Sequence, residues 1–287
     1  MTSHTRQASF LSRLAALAPT PGAAFSGIAL AALAIAAIGA PWLSPYAYDA
    51  QNLSIANQAP SALHWFGTDE FGRDILSRVI YGARTSLSVS VVSITLSLLG
   101  GILIGSVCGY LGGRFDRLMM SAVDLTWCFP EILLALLIVA ILGPGSGSTV
   151  LAIAIAYLAQ FTRLTRTQII TLKRQTFVEA SRSMGAGPLH IMMRRLLPNA
   201  IAPVVVVAML STGNAILLEA TLGFFGMGAQ PPVPSWGGMM STGSAQLFNA
   251  PWVILWPGIF VAASVIFINL FGQGVLKSLD VKARMRS

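Results

Sequence analysis

The chain has 287 residues, 55% of them hydrophobic and only 10% charged, with a mean hydropathy of +0.72. Soluble domains carry about 25% charge, so this composition excludes a soluble globule. The net charge of +8 does not indicate nucleic acid, because the Lys and Arg residues fall between apolar runs rather than on one soluble face.

In chain order, the apolar runs predict six membrane spans, at roughly 24–43, 86–110, 118–142, 149–168, 200–226 and 252–276. Runs of this length call for helices rather than barrel strands, so the expected fold class is all-α and polytopic. Arg6 and Arg13 ahead of the apolar 28–40 stretch have the outline of a secretory signal. The uncharged stretch from Leu14 to Tyr48 exceeds a signal core, so it is read as a retained first span after a cytoplasmic segment, 1–23. Span four is the shortest; Arg163 and Arg166 are expected to snorkel to the interface and complete it.

Fifteen of the eighteen Lys and Arg residues fall on one side of this arrangement, and only Arg73, Arg78 and Arg84 on the other. The positive-inside rule then predicts both termini in the cytoplasm. The transmembrane domain is 24–276, with outer loops at 44–85 and 227–251, a cytoplasmic loop at 169–199 and a cytoplasmic tail at 277–287. In the first outer loop, Asp69 and Arg73, and Asp74 and Arg78, stand four apart. They predict an amphipathic helix at the outer interface, with Phe71, Ile75 and Val79 on one face. These four charged residues are candidate outer-loop contacts. The second outer loop carries "QPPVPSW", whose prolines favour extended backbone.

Catalytic chemistry finds little support. No lysine follows a glycine, as a phosphate-cradling loop requires, and no HExxH is present. His4, His64 and His190 are scattered, and Cys108 and Cys128 read as small buried hydrophobes. No catalytic, metal or cofactor site is expected in this chain. Gly101, Gly105, Gly109 and Gly113 recur every fourth residue, a groove that admits a neighbouring helix.

Three carboxylates fall within spans. Asp124 and Glu131, seven apart, are expected to share a face of span three, with a kink at Pro130; Glu219 stands alone in span five. Ionisable groups in lipid are costly, which marks these three for the translocation path or for gating. The plainer alternative puts Asp124 near the cytoplasmic end and pairs Glu131 with a polar neighbour. A proton-coupled secondary transporter would use the same carboxylates.

The segment "EASRSMGAGPLHIMMRRLLPN" (179–199) is polar and basic amid this apolar chain. Its residues alone fit equally a short surface helix for docking a partner or an ordinary basic loop. It resembles the EAA loop of ABC-importer permeases, which reads Glu-Ala-Ala, three residues, Gly, nine residues, Ile, one residue, Leu-Pro. Glu179, Ala180, Gly185, Leu197 and Pro198 match in register; Ser181 replaces an alanine and Arg195 an isoleucine. "GTDEFGRDILSRVIYGARTSLSV" (67–89), "FPEILLALLIVAILGPG" (129–145), "LEATLGFFGMGAQPPVPSWGGMM" (218–240) and "NLFGQGVLKSLD" (269–280) are similar to the C-type subunit of the dipeptide/oligopeptide/nickel permease branch. Gln273 and Lys277 depart from the aspartates usual there.

The resemblance implies a type I importer permease of the bacterial inner membrane, with no cofactor of its own. It implies a second homologous permease, in a heterodimer, two cytoplasmic ATPases that bind ATP and magnesium, and an extracytoplasmic solute-binding protein. The EAA helix, here about 178–188, would sit in a cleft of the ATPase. Glu179 would anchor or cap it, Gly185 would permit its turn, and Pro198 would fix the start of span five. The implied cargo is a di- or oligopeptide, with nickel chelates and glutathione as alternatives; an exporter half is the remaining reading.

Overall fold

Most of the apolar runs become helices, though with different boundaries from those the composition suggests. The computed structural model describes residues 21–284, with side chains described as far as Ser278. Arg6, Arg13 and most of the 1–23 segment, and the tail side chains of Lys282, Arg284 and Arg286, lie outside the described residues. The helices are α1 (Pro21–Ile38), α2 (Ala40–Leu43), α3 (Ile75–Leu111), α4 (Gly113–Trp127), α5 (Glu131–Leu142) and α6 (Ser146–Lys173). After these come α7 (Thr176–Ser183), α8 (Pro188–Ile191), α9 (Leu197–Phe224), α10 (Trp236–Ala245) and α11 (Trp252–Arg284).

Among the described residues, five helical stretches are long and apolar enough to cross a membrane: α1, α3, α6, the run Pro188–Phe224 and α11. The expected third span, 118–142, is not one helix. It is the pair α4 and α5, bent by 93° at Cys128–Pro130. Pro130 supplies no N–H and is itself extended (ψ 135°), so the backbone ladder stops there and restarts at Glu131. Asp124 and Glu131 therefore do not share a helix face.

The expected interfacial helix is also absent as a separate element. Asp69 and Arg73 belong to an irregular turn, held open by Gly67 and Gly72 at positive φ. Asp74 is the N-cap of α3, its side chain accepting from the Ser77 N–H. Helix α3 then runs 37 residues without a break. At 1.5 Å per residue it is about 55 Å long, well beyond a hydrocarbon core of about 30 Å. Ile75 and Val79 are fully buried, whereas Phe71 is 41% exposed.

Helices α3 and α6 form the most extensive pairing in the fold. The reason is three of the four glycines. A Cβ on Gly101 would overlap Phe161; on Gly105 it would stand 2.5 Å from the Thr162 carbonyl oxygen, and on Gly109 2.9 Å from that of Arg166. Backbone meets side chain and backbone directly here, in the small-residue manner of membrane helices. Ser97 adds a hydrogen bond of 2.6 Å to the Ala154 carbonyl. Gly113 takes no part: nothing lies within 4 Å of it, and its φ of +65° serves the turn between α3 and α4.

The core runs the length of this pair. Val89, Ile94, Tyr157, Phe161, Val204 and Leu222 join α3, α6 and α9 in one apolar cluster. At the end bearing the 44–74 segment, Trp236 packs with Ala37, Ala83, Ile216 and Val261. The proline-rich 230–235 run holds turns and irregular backbone, and the loop then forms a helix, Trp236–Ala245, capped by Ser235, which accepts from Gly238 N–H.

Candidate functional site

The basic end of the bundle carries the EAA-like segment. Helix α6 ends at Lys173, whose ammonium donates to the Tyr110 carbonyl at 2.6 Å and so closes the end of α3. Helix α7 begins three residues later. Its inward face is Val178 and Ser181, both buried; Val178 packs with Ile169, Ile191, Leu196 and Ala200. Its outward face leaves Phe177, Glu179, Ala180 and Arg182 exposed, followed by Met184 at 75%. The segment is thus pinned by one face and free on the other.

Gly185 ends α7. It stands at φ +83°, its N–H reaches the Arg182 carbonyl at 2.9 Å, and Ala186 N–H reaches Ser181 at 3.0 Å. This double bond pattern with a left-handed residue is a Schellman turn, which glycine forms at least cost. Glu179 does not cap the helix. The N-cap position is Gln175, and Glu179 sits exposed in the first turn, favourably oriented to the helix dipole. Pro198 does not begin a span either. The helix from Pro188 to Phe224 is continuous through a π-helical turn at Met192–Leu196, with Leu197 and Pro198 inside it. Pro198 has no N–H for the carbonyl four residues back, and a wider turn just before it accommodates that loss. Asn199 Nδ2 recovers the Arg195 carbonyl at 2.6 Å.

The three carboxylates are kept apart. Asp124 accepts from Arg163 at 2.5 Å and 3.1 Å, and the same guanidinium lies 3.9 Å from the Trp127 ring centre. Sequence reasoning expected Arg163 and Arg166 to snorkel; instead both bind α4. Arg166 takes Asp116 through two bonds of 2.6 Å, a pair the sequence did not disclose. Glu131 opens α5 beside the Tyr157 hydroxyl. Glu219 is 1% exposed, bonded by the Ser86 side chain, with Oε2 lacking a partner.

At the opposite end, the four candidate loop residues do come together. Arg73 Nε is 2.7 Å from Asp69 Oδ2, and Arg78 Nε is 3.5 Å from the same oxygen. Asp74 pairs not with Arg78 but with His64 Nδ1 at 2.9 Å and with Ser77. Arg78 donates onward to the Tyr48 carbonyl at 3.0 Å. All of these charged groups are buried, so they fasten the 44–74 segment onto α3. Among the described residues, no group of three His, Cys, Asp or Glu side chains is placed to hold a metal ion.

A bent helix pair, a close glycine-packed helix pair and an exposed helix–turn at the basic end together fit a helical transport permease. The fold resembles that of the MetNI methionine ABC transporter in an inward-facing conformation, with a TM-score of 0.58, 19% identity, and coverage of 71% of this chain and 97% of that one. Residues 101–285 match the family of binding-protein-dependent transport system inner membrane components, and residues 20–60 match the N-terminal TM domain of oligopeptide transport permease C. The dipeptide transport system permease protein DppC of Alkalihalophilus pseudofirmus is 42% identical over 257 residues, 90% of this chain and 84% of that one. The di/tripeptide permease DppC of Pseudomonas aeruginosa is 44% identical over 254 residues, 86% and 84%. The glutathione transport system permease protein GsiD of Escherichia coli O157:H7 is 39% identical over 255 residues, 88% and 84%.

The chain belongs to the family of binding-protein-dependent transport system inner membrane components. It is a C-type permease subunit of an ABC importer, a multi-pass protein of the bacterial inner membrane. Membership implies ATPase and binding-protein partners.

Proposed function

We propose that this chain forms half of the translocation path of a peptide importer, with both termini in the cytoplasm and α7 docked in a cleft of a partner ATPase. The other half is a second, different permease; two ATPases bind ATP and magnesium, and a binding protein outside delivers the peptide. The observation that carries this reading is α7 itself: one face is fixed to α6 and α8 by buried Val178, while the other, from Phe177 to Met184, is offered to solvent beside a glycine turn. A helix so held transmits a push to the spans it is packed against.

Orientation follows from charge. The end bearing α7 also carries Arg114, Arg117, Arg163, Arg166, Arg194 and Arg195, which the positive-inside rule assigns to the cytoplasm. Closure of the paired ATPases would draw the coupling helices together and exchange two packings of the spans. Peptide cargo is favoured by the similarity to DppC proteins over the similarity to GsiD.

Purification of the tagged chain from its native membrane, with identification of co-purifying proteins by mass spectrometry, tests this. ATPases with Gly-Lys-Ser/Thr loops, a second permease and a peptide-loaded binding protein are expected. Recovery of the chain alone, active in liposomes on a proton gradient, overturns it.

A further inference from the structure

Arg84 is the one arginine of the 73–84 group that the ion cluster does not absorb. Arg73 and Arg78 both converge on Asp69, whereas Arg84, two helical turns further into α3, is exposed. Among the described residues no ion pair reaches it, so its guanidinium is open to water or to an anionic ligand.

It opens into a cleft of about 360 Å³ lined by Tyr48, Tyr81, Thr85, Ser88 and Pro234 among others, none of them acidic. The walls are fixed from two sides. Tyr48 is held by the bond from Arg78 to its carbonyl and lies against Tyr81, ring centres 4.6 Å apart. Pro234 precedes the Ser235 cap of α10, and α10 is anchored where Trp236 N–H donates to Ser86 Oγ at 3.1 Å and the indole N–H to the Val79 carbonyl at 3.0 Å. The cleft thus joins α3, the proline-rich loop and the first residue of α6, Ser146. A planar guanidinium fork on the same cleft wall as a tyrosine pair matches a carboxylate in two-point geometry, with the outer ring faces left to pack against the adjoining peptide.

We infer that Arg84 is the anion-binding residue of a substrate subsite at the outer mouth of the translocation path, taking the C-terminal carboxylate of a peptide released by the binding protein. This rests on the peptide-importer reading above. The aromatic pair confers tolerance of side chains, and the arginine holds the feature common to every peptide.

The test uses the complete transporter in proteoliposomes with its binding protein in excess, supplied with a mixture of unmodified dipeptides. Uptake is read by mass spectrometry, ATPase activity in parallel, and subunit recovery on purification. Arg84→Ala is expected to lower uptake about tenfold or more, through loss of the two-point charge-assisted contact to the carboxylate. Binding-protein-stimulated ATPase should persist, and Arg84→Lys, which keeps the charge but not the two-point fork, should restore uptake only in part. Wild-type uptake by Arg84→Ala overturns the subsite. So does loss of the partner permease from the purified Arg84→Ala complex, which would make Arg84 a subunit contact. If the wild-type complex imports no dipeptide while other cargo drives its ATPase, the peptide reading falls, and the subsite with it.

Discussion

The indole N–H of Trp236 donates to the main-chain carbonyl of Val79 across 3.0 Å, while its own backbone N–H is taken by Ser86. One residue of a loop helix therefore bonds α3 at points two turns apart. The contact is tight as well: a Cβ on Gly82 would stand 3.0 Å from the indole, and one on Gly237 would overlap the Ala220 carbonyl. Trp236→Ala is expected to cost about 3–5 kcal/mol, through the cavity and the lost bond. Trp236→Phe keeps most of the packing and should cost about 1 kcal/mol. Thermal unfolding of the purified complex in detergent ranks the two.

The glycine series separates packing from turn geometry. Gly105→Leu drives a side chain into the Thr162 carbonyl and should prevent α3 from seating on α6, so that little folded protein is recovered. Gly113→Ala meets nothing in space and faces only the left-handed backbone, worth about 1–2 kcal/mol. Size-exclusion profiles of the two variants should differ sharply; equal profiles would contradict the packing described.

The two arginine forks onto α4 differ in burial. The Arg166–Asp116 pair has side chains 30% and 12% exposed, against 34% and 50% for Arg163–Asp124. Asp116→Asn should therefore destabilise by about 1–2 kcal/mol, as for a charged two-point hydrogen bond only partly screened by water. Asp124→Asn should cost about 0.2–1 kcal/mol, as for an exposed pair. Double-mutant cycles with Arg166→Gln and Arg163→Gln isolate each term.

Much of the basic end was legible because its determinants are local. Gly185 and Pro198 stand out in the sequence because they match the EAA pattern in register, and a helix-ending glycine and a helix-disturbing proline act within a few residues. Their consequences were less legible. Pro198 was expected to open a span, but the helix begins at Pro188 and absorbs the proline with a π turn. Asp69 and Arg73 have the spacing of a helical pair and do form the pair. They form it in a turn, because Gly72 at φ +69° stands where a Cβ would collide with Asn52. The bonds from Arg163 and Arg166 to α4 span 39 and 50 residues of chain, and no local pattern encodes such a distance. Helix α10 was hidden by the prolines just ahead of it, by its glycines and by its lack of charge, though Ser235 ahead of Trp-Gly-Gly was a capping signal.

The central claim is that α7 and its glycine turn transmit ATPase closure to the spans, and Gly185→Asp tests it most directly. Within the chain the substitution is mild: no atom lies within 4 Å of a Cβ there, and the left-handed backbone costs aspartate about 1 kcal/mol. The variant should insert and unfold much as wild type does, yet ATP-dependent uptake by the reconstituted complex should be lost, because the new carboxylate stands on the surface offered to the partner. Wild-type uptake by Gly185→Asp at normal expression would contradict the account.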